Sequence, residues 1–207
     1  MKTVFMFSGQ GAQYAGMGKD LYKNYPVAKE IFDRADNVLG YSIKDICFED
    51  EQKLGETEFA QPAILTMSIA AMKVLEEEGV RADMTAGLSL GEYSAYVASE
   101  AMDFEEAVAL VQKRGKFMAE AVPSGEGAMY AIIGLDTALV EEACAEATAE
   151  GDGLAVPANY NAPGQIVIAG HAQAAKRAAA LAKEKGAKLT VPLKVSGPFH
   201  TELLQPA

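Results

Sequence analysis

Residues 84–91 read Met84-Thr85-Ala86-Gly87-Leu88-Ser89-Leu90-Gly91. Met84 to Leu88 is a short apolar run that predicts a buried strand, and the residues from about Gly91 onward predict a helix. The junction matches G-x-S-x-G, a pattern that acquires meaning between a strand and a helix. There the chain reverses so tightly that a Cβ at either flanking position would strike neighbouring backbone, and glycine at 87 and 91 leaves the room. The Ser89 hydroxyl then stands at the amino end of the helix, where the free N–H of Leu90 and the positive dipole end favour a developing oxyanion. The same turn is compatible with Ser89 acting only as a helix cap.

Upstream, Thr3 to Phe7 predicts another short buried strand, followed by the loop Ser8-Gly9-Gln10-Gly11-Ala12-Gln13. That loop is no dinucleotide fingerprint, because Tyr14 stands where the third glycine belongs. It is either a plain connection or a second source of backbone N–H groups at the sheet end that carries Ser89. Pro26 to Leu39 predicts a helix with Val27, Ile31, Ala35 and Val38 on one stripe and a stop at Gly40. Pro62 to Glu78 predicts another, with proline in the first turn and a stop at Gly79. Asp103 with Glu106 forms a capping box for a long helix reaching about Ala121.

From Gly127 to Leu193 short strands alternate with Ala-rich helices. Strands are expected at 128–135, 155–159, 165–169 and 188–193, and helices at 137–150 and 172–185. That order, β-α-β-β-α-β, is the signature of a ferredoxin-like unit, with Asn161-Ala162-Pro163-Gly164 joining the middle strands. The expected architecture is therefore α/β: a larger, α/β-hydrolase-like domain with a parallel sheet, formed by residues 1–124 and 194–207, plus an inserted smaller ferredoxin-like (βαββαβ) domain at 125–193. Two strands are thin for an independent α/β layer, so the carboxyl-terminal part of the larger domain is expected to be missing.

The 207 residues include 18 Lys+Arg and 29 Asp+Glu, a formal net charge of -11, with 50% hydrophobic and 23% charged residues. This is ordinary for a globular chain and excludes disorder. No apolar stretch approaches the length of a membrane span or a signal-peptide core. Cys47 and Cys144 lie in no C-x-x-C or Cys/His cluster, which argues against zinc, redox catalysis and a disulfide framework, and fits a reducing cytoplasm. Overall acidity disfavours nucleic acid as a partner. The charge is uneven: residues 171–194 carry six cations against Glu184, whereas residues 1–170 carry 12 cations and 27 carboxylates. That basic stretch is either the solvated face of a Lys-rich helix or a surface for an acidic partner.

A serine hydroxyl needs a base to take its proton. Two histidines are available. His171 opens a helix beside Gly170 and reads as a surface or capping residue, whereas His200 follows the rigid Gly197-Pro198-Phe199 segment and is the better candidate base. Arg114 shares a helical stripe with Ala107, Val111 and Met118. On the shoulder of that face a guanidinium either snorkels outward or, facing a pocket, grips a carboxylate with its planar fork. A serine hydrolase reading stays open, since the elbow serves esterases and thioesterases and Asp103, Asp136 or Asp152 can be nominated as a third member. That reading finds no His-Gly-Gly-Gly oxyanion loop and leaves Arg114 unexplained.

Six stretches in order carry a family resemblance. They are Phe7 to Gln13; Thr57 with Gln61-Pro62-Ala63; Gly87-Leu88-Ser89-Leu90-Gly91-Glu92-Tyr93-Ser94-Ala95; Arg114-Gly115-Lys116-Phe117-Met118; Asn159 to Gln165; and Val195-Ser196-Gly197-Pro198-Phe199-His200. Together they resemble the malonyl-CoA:acyl carrier protein transacylases of bacterial fatty acid synthesis, over the whole chain. The resemblance implies Ser89 as acylated nucleophile, His200 as general base, Arg114 as partner of the free malonyl carboxylate, and Gln10 and Leu90 as backbone oxyanion donors. It also implies that Gln61 and Asn161 line the cleft and that Phe199 crowds an α-methyl branch. Malonyl-CoA and acyl carrier protein are the implied partners, with no metal or bound cofactor. The sequence departs from the family at Leu88, where many relatives have histidine. Relatives also continue past residue 207 with further sheet and a main-chain carbonyl that orients the histidine, so a fragment that binds acyl groups or carrier protein without turnover is the third expectation.

Overall fold

The computed structural model describes residues 2–123, 125–193, 195 and 197–207. Lys194 of the basic stretch and Ser196 of the returning segment lie outside the described residues. The fold is mixed α/β, with one parallel and one antiparallel sheet. Contacts divide the chain into two compact units, Met1–Lys116 and Phe117–Ala207.

In the first unit, β1 (Val4–Phe7) leads through a loop into α1 (Lys19–Asn24), α2 (Pro26–Leu39), α3 (Ile43–Glu49), α4 (Glu51–Leu54) and α5 (Thr57–Glu77). Then follow β2 (Met84–Gly87), α6 (Gly91–Ala98) and α7 (Phe104–Ala121), the last of which runs on into the second unit. β1 and β2 pair in parallel with Val4 opposite Met84 and Phe7 opposite Gly87. Leu88 N–H continues the ladder onto the Phe7 carbonyl at 3.1 Å, so the chain leaves the sheet one residue before the serine. The α2 helix spans the expected residues and stops at Gly40 in the left-handed region, φ 74°. Its buried stripe is Ala28, Ile31, Phe32 and Ala35, and Phe32 packs among the rings of Tyr22 and Phe48.

Two expectations need correction here. The strands expected to be buried are half-exposed, with Met6 82% and Met84 55% accessible, while Phe5 and Phe7 pack against the core. A two-stranded sheet covered by helices on one face leaves every second side chain outside, as the strand period of two requires. The helix expected from Pro62 starts at Thr57, which puts Pro62 inside it. Proline removes one i→i−4 bond there, and burial of residues Ala60 to Thr66 along the same helix offsets that loss.

The second unit contains β3 (Gly127–Ile133), α8 (Thr137–Ala149), β4 (Ala155–Ala162), β5 (Gln165–His171), α9 (Ala172–Glu184), β6 (Leu189–Pro192) and a 3-10 turn, Glu202–Leu204. The sheet order is β4-β5-β3-β6 and every pairing is antiparallel. Asp136 caps α8 by accepting from Ala138 N–H at 3.0 Å. Pro163-Gly164 closes the β4–β5 hairpin, and Gly164 takes φ 70°, which a two-residue hairpin turn favours. Ile132, Ile166 and Ile168 form the sheet side of one core with Ala174, Ala178 and Ala182 of α9. A smaller cluster, Met118, Met129, Val167, Ala169 and Phe199, covers the sheet's other face. No helix among the described residues is long and apolar enough to cross a membrane.

Candidate active site

Ser89 sits two residues past the end of β2 with φ 52°, one of three non-glycine residues on the positive side among the described residues. A side chain in that region is costly and persists where packing enforces it. The enforcement is visible on both flanks. A Cβ added to Gly87 would collide with the backbone of Gly91, and one added to Gly91 would collide with the Phe7 carbonyl. The elbow is thus wedged between its own helix and β1, as the two glycines required. Leu90, 1% exposed, anchors the start of α6 in the core. The first turn closes through Gly91, Glu92 and Tyr93 N–H groups, bonded to the carbonyls of Leu88, Ser89 and Leu90. Among the described residues the Leu90 N–H has no backbone acceptor.

Arg114 meets this elbow. Its Nη2 donates to Ser89 Oγ at 3.2 Å and its Nη1 donates to Gln61 Oε1 at 2.8 Å. The guanidinium carbon also lies 5.5 Å from the centre of the Tyr93 ring. Of the two fates open to Arg114, outward snorkelling is excluded: the side chain is half-buried and turned onto the serine. Among the described residues no carboxylate pairs with it. Gln61 is fully buried, in the second turn of α5, and its bond to Arg114 satisfies the oxygen of an interior amide. A cation held by a neutral amide, a hydroxyl and a ring face keeps its charge available for an anion, in surroundings where charge-assisted hydrogen bonds are strong.

Gln10 lies in the loop after β1, and its Nε2 donates to Thr57 Oγ1 at 3.0 Å. The loop abuts the elbow directly, since a Cβ on Gly9 would stand 2.7 Å from the Leu88 carbonyl oxygen. Ser89, Leu90, Arg114, Gln61 and Gln10 are therefore one constellation within the first unit. Tyr93, Thr57 and Gly115 belong to the same neighbourhood and carried no assigned role in the sequence reading.

The remaining candidates are in the second unit. Asn161 occupies an irregularity of β4, between Tyr160 and Ala162, where the ladder to β5 slips and one residue stays unpaired. Phe199 is 6% exposed within its cluster, and Pro198 fills the space a Cβ on Gly127 would need. His200 follows on the surface with φ 61°, and Thr201 Oγ1 donates back to the Pro198 carbonyl at 2.8 Å. Pro198 and Phe199 are buried, and the His200 that follows them is exposed. His171 stands at the N-cap position of α9 without a side-chain capping bond; its Nδ1 accepts from Leu154 N–H at 2.9 Å, which gives it a structural task.

A serine wedged on a strand-to-helix elbow, with an arginine turned onto its hydroxyl, is the arrangement that the first unit presents. The chain belongs to the acyl transferase domain family, whose model matches residues 4–203. It is 52% identical over 207 residues to the malonyl CoA-acyl carrier protein transacylase of Bacillus subtilis strain 168, covering all of this chain and 65% of that relative. Among solved structures, MCAT from Streptococcus pneumoniae superposes with TM-score 0.92 at 55% identity, covering 99% of this chain and 67% of that one. A malonyl-transacylase solved in complex with its type II PKS acyl-carrier protein superposes with TM-score 0.94 at 43% identity, covering 100% and 67%. The chain thus spans about two thirds of the length of these relatives.

Proposed function

We propose that the protein transfers the malonyl group of malonyl-CoA to the phosphopantetheine thiol of acyl carrier protein through a malonyl-Ser89 ester, in fatty acid biosynthesis in the cytoplasm. The observation that carries this reading is the pair of Arg114 bonds, one to Ser89 Oγ and one to Gln61, which puts an unneutralised guanidinium beside the nucleophile. A hydrolase of neutral esters has no use for that cation, whereas an acyl group ending in a carboxylate pairs with it. The family and the names of its relatives support the same substrate, and the complex with a carrier protein supports the acceptor.

In this mechanism His200 takes the Ser89 proton as Oγ attacks the thioester carbonyl. The oxyanion is held by the main-chain N–H groups of Leu90 and Gln10, each contributing about 3 kcal/mol. The C–S bond then breaks, and coenzyme A leaves with the proton returned by the imidazolium. The carrier thiol repeats the sequence in reverse: its proton goes to His200, its sulfur takes the malonyl group, and Ser89 Oγ recovers a proton. The Arg114 fork moves from Ser89 Oγ to the malonyl carboxylate as substrate enters, while Gln61 and Asn161 line the acyl cleft and Phe199 crowds an α-methyl branch. The finer fold assignment belongs to the same reading: an α/β-hydrolase-like domain of residues 1–124 and 194–207, with a ferredoxin-like insert at 125–193. The strand order β4-β5-β3-β6 supports the insert.

Intact mass spectrometry after addition of malonyl-CoA tests the proposal. One malonyl group should appear on the protein and be removed by holo carrier protein, and Ser89→Ala should gain none. A protein that releases free malonate without acylating carrier protein would be a thioesterase, and the transfer reading would fail.

A further inference from the structure

We propose that Thr57 is a positioning residue that fixes the loop after β1, and with it the main-chain N–H of Gln10, against the Ser89 elbow. The kinetic part of this inference rests on the acyl-transfer reading; the structural part does not. Thr57 is the first residue of α5 and is 2% exposed. Its hydroxyl oxygen accepts from Gln10 Nε2 at 3.0 Å. Its carbonyl oxygen faces α7 at Gly115, where an added Cβ would stand 2.6 Å away. One buried residue therefore touches both the loop that carries a proposed oxyanion donor and the helical turn that carries Arg114.

The loop needs such an anchor. Gly9 lies against the Leu88 carbonyl, but Gly11 has φ 106° with open space about it, and Ser8, Gly11 and Ala12 are exposed. Its other side-chain ties are weaker. Gly11 N–H donates to Gln13 Oε1 at 2.8 Å, which stays within the loop, and Gln13 Nε2 reaches the Leu54 carbonyl at 3.4 Å. Of the loop's side-chain bonds among the described residues, the one from Gln10 ends on a fully buried side chain of a long helix. A main-chain donor stabilises a developing oxyanion when it is already in place, because reorganisation at the moment of reaction removes the benefit. The Gln10 side chain thus holds down the residue whose backbone does the work, and Thr57 is the fixed end of that tether.

Two substitutions separate this role from simple helix packing. Thr57→Val keeps the shape and removes the acceptor, whereas Thr57→Ser keeps the acceptor and removes a methyl group. The first readout is amide hydrogen exchange of residues 9–13. Thr57→Val should speed it roughly fivefold or more, an effect on the scale of one lost net hydrogen bond. Thr57→Ser should leave it near wild type. The second readout is the rate of Ser89 acylation by malonyl-CoA. Thr57→Val should slow it roughly tenfold, a fraction of the effect of deleting a donor outright, with the half-saturating concentration unchanged. Thr57→Ser should recover it. Gln10→Met cuts the same tether from the other end without touching α5, and combining it with Thr57→Val should slow the reaction no further. Unchanged loop exchange in both Thr57→Val and Gln10→Met overturns the proposal, as does a Thr57→Ser variant as impaired as Thr57→Val. A wild-type protein that takes up no malonyl group refutes the acyl-transfer reading alone, and the exchange comparison still decides the role of Thr57.

Discussion

Replacing Gly115 by alanine tests whether the approach of α7 to α5 is what aims Arg114. Inside a helix the change ordinarily stabilises a protein by about 0.5–1 kcal/mol, because alanine has less backbone freedom to lose. Here the new methyl would stand 2.6 Å from the Thr57 carbonyl oxygen and 3.0 Å from Glu58 Cα. Ordinary contact begins near 3.4 Å, so the shortfall, 3.4 less 2.6, is 0.8 Å, and the opposing atoms are backbone that cannot swing aside. Overpacking of this kind costs about 1–3 kcal/mol and outweighs the helical gain. The expected net loss is roughly 1–2 kcal/mol, which lowers Tm by about 2–8 °C in a chain of this size. The displacement falls one residue from Arg114, so Ser89 acylation by malonyl-CoA should drop on the order of 10- to 100-fold. Urea and thermal unfolding, read beside intact-mass acylation rates, give both numbers. A Gly115→Ala protein as stable as wild type or more so, and acylated at the wild-type rate, would refute the claim that the two helices are clamped there.

Arg114→Ala should reduce malonyl transfer more than acetyl transfer, by roughly 10- to 100-fold on the scale of one charge-assisted hydrogen bond, and equal losses in parallel assays would remove its role in selection. Arg34 holds the Glu105 carboxyl below its ordinary range through Nε–Oε1 and Nη2–Oε2 bonds of 2.7 and 3.0 Å. A depressed carboxyl adds stability above its unfolded pKa and loses it as pH falls through the folded value, so Arg34→Met should be less stable than wild type at pH 7. The deficit should stay under about 1 kcal/mol because the pair is partly solvated, and should vanish in acid; urea midpoints from pH 7 to pH 3 would expose a gap that does not close. Burial pushes the Cys47 and Cys144 thiols up to about 12, so neither should react with a disulfide reagent at pH 8 until the protein unfolds. Rapid labelling of the native chain would show that these thiols are reachable.

Legibility followed the strength of local punctuation. The β-α-β-β-α-β succession could be read because Asp136 caps α8, Pro163-Gly164 turns the hairpin and the alanine stripe of α9 repeats at helical spacing. The two outer strands could be placed but not oriented. Val4-Phe5-Met6-Phe7 is apolar throughout, and such a run says nothing about which face has neighbours. The start of α5 was hidden by Pro62, whose preference for the first turn pulls the expected boundary forward, whereas burial of Thr57, Ala60 and Gln61 extends the helix back a further turn. The elbow was legible because steric necessity is local: two glycines and a serine within five residues. Thr57, Tyr93 and their contacts were not, since Gln10 is 47 residues from Thr57 and Gln61 is 53 from Arg114. One signal did point there. Gly115 is the only glycine in the eighteen residues of α7, and an isolated glycine in a helix marks a close approach.

Charge read along the chain left two alternatives for residues 171–194, a solvated helix face and a surface for an acidic partner. The cations of residues 171–194 look like a patch in search of an acidic partner, yet the fold supplies that partner within the same unit. Arg177 forks onto Glu150, with Nε–Oε2 at 2.8 Å and Nη2–Oε1 at 2.9 Å, and Lys185 reaches Glu146 at 2.9 Å and Glu142 at 3.2 Å. The acidic face of α8 and the basic face of α9 therefore neutralise one another, which is how a helix with six fully buried or nearly buried alanine and leucine positions keeps its solvated side in register with its neighbour. Such pairs are screened and add little stability each. Their consequence is subtractive: Arg177 and Lys185 are committed before any partner arrives. A carrier protein drawn to this helix by charge would have to rely on Lys176 and Lys183, for which no carboxylate partner appears among the described residues, Lys183 donating to the neutral Lys188 carbonyl at 2.8 Å, so the sequence stretch overstates the field the surface presents. The same logic runs opposite at Arg114. Among the described residues only neutral groups hold that cation, and its charge stays unspent beside a hydroxyl that the fold has forced into a strained bend.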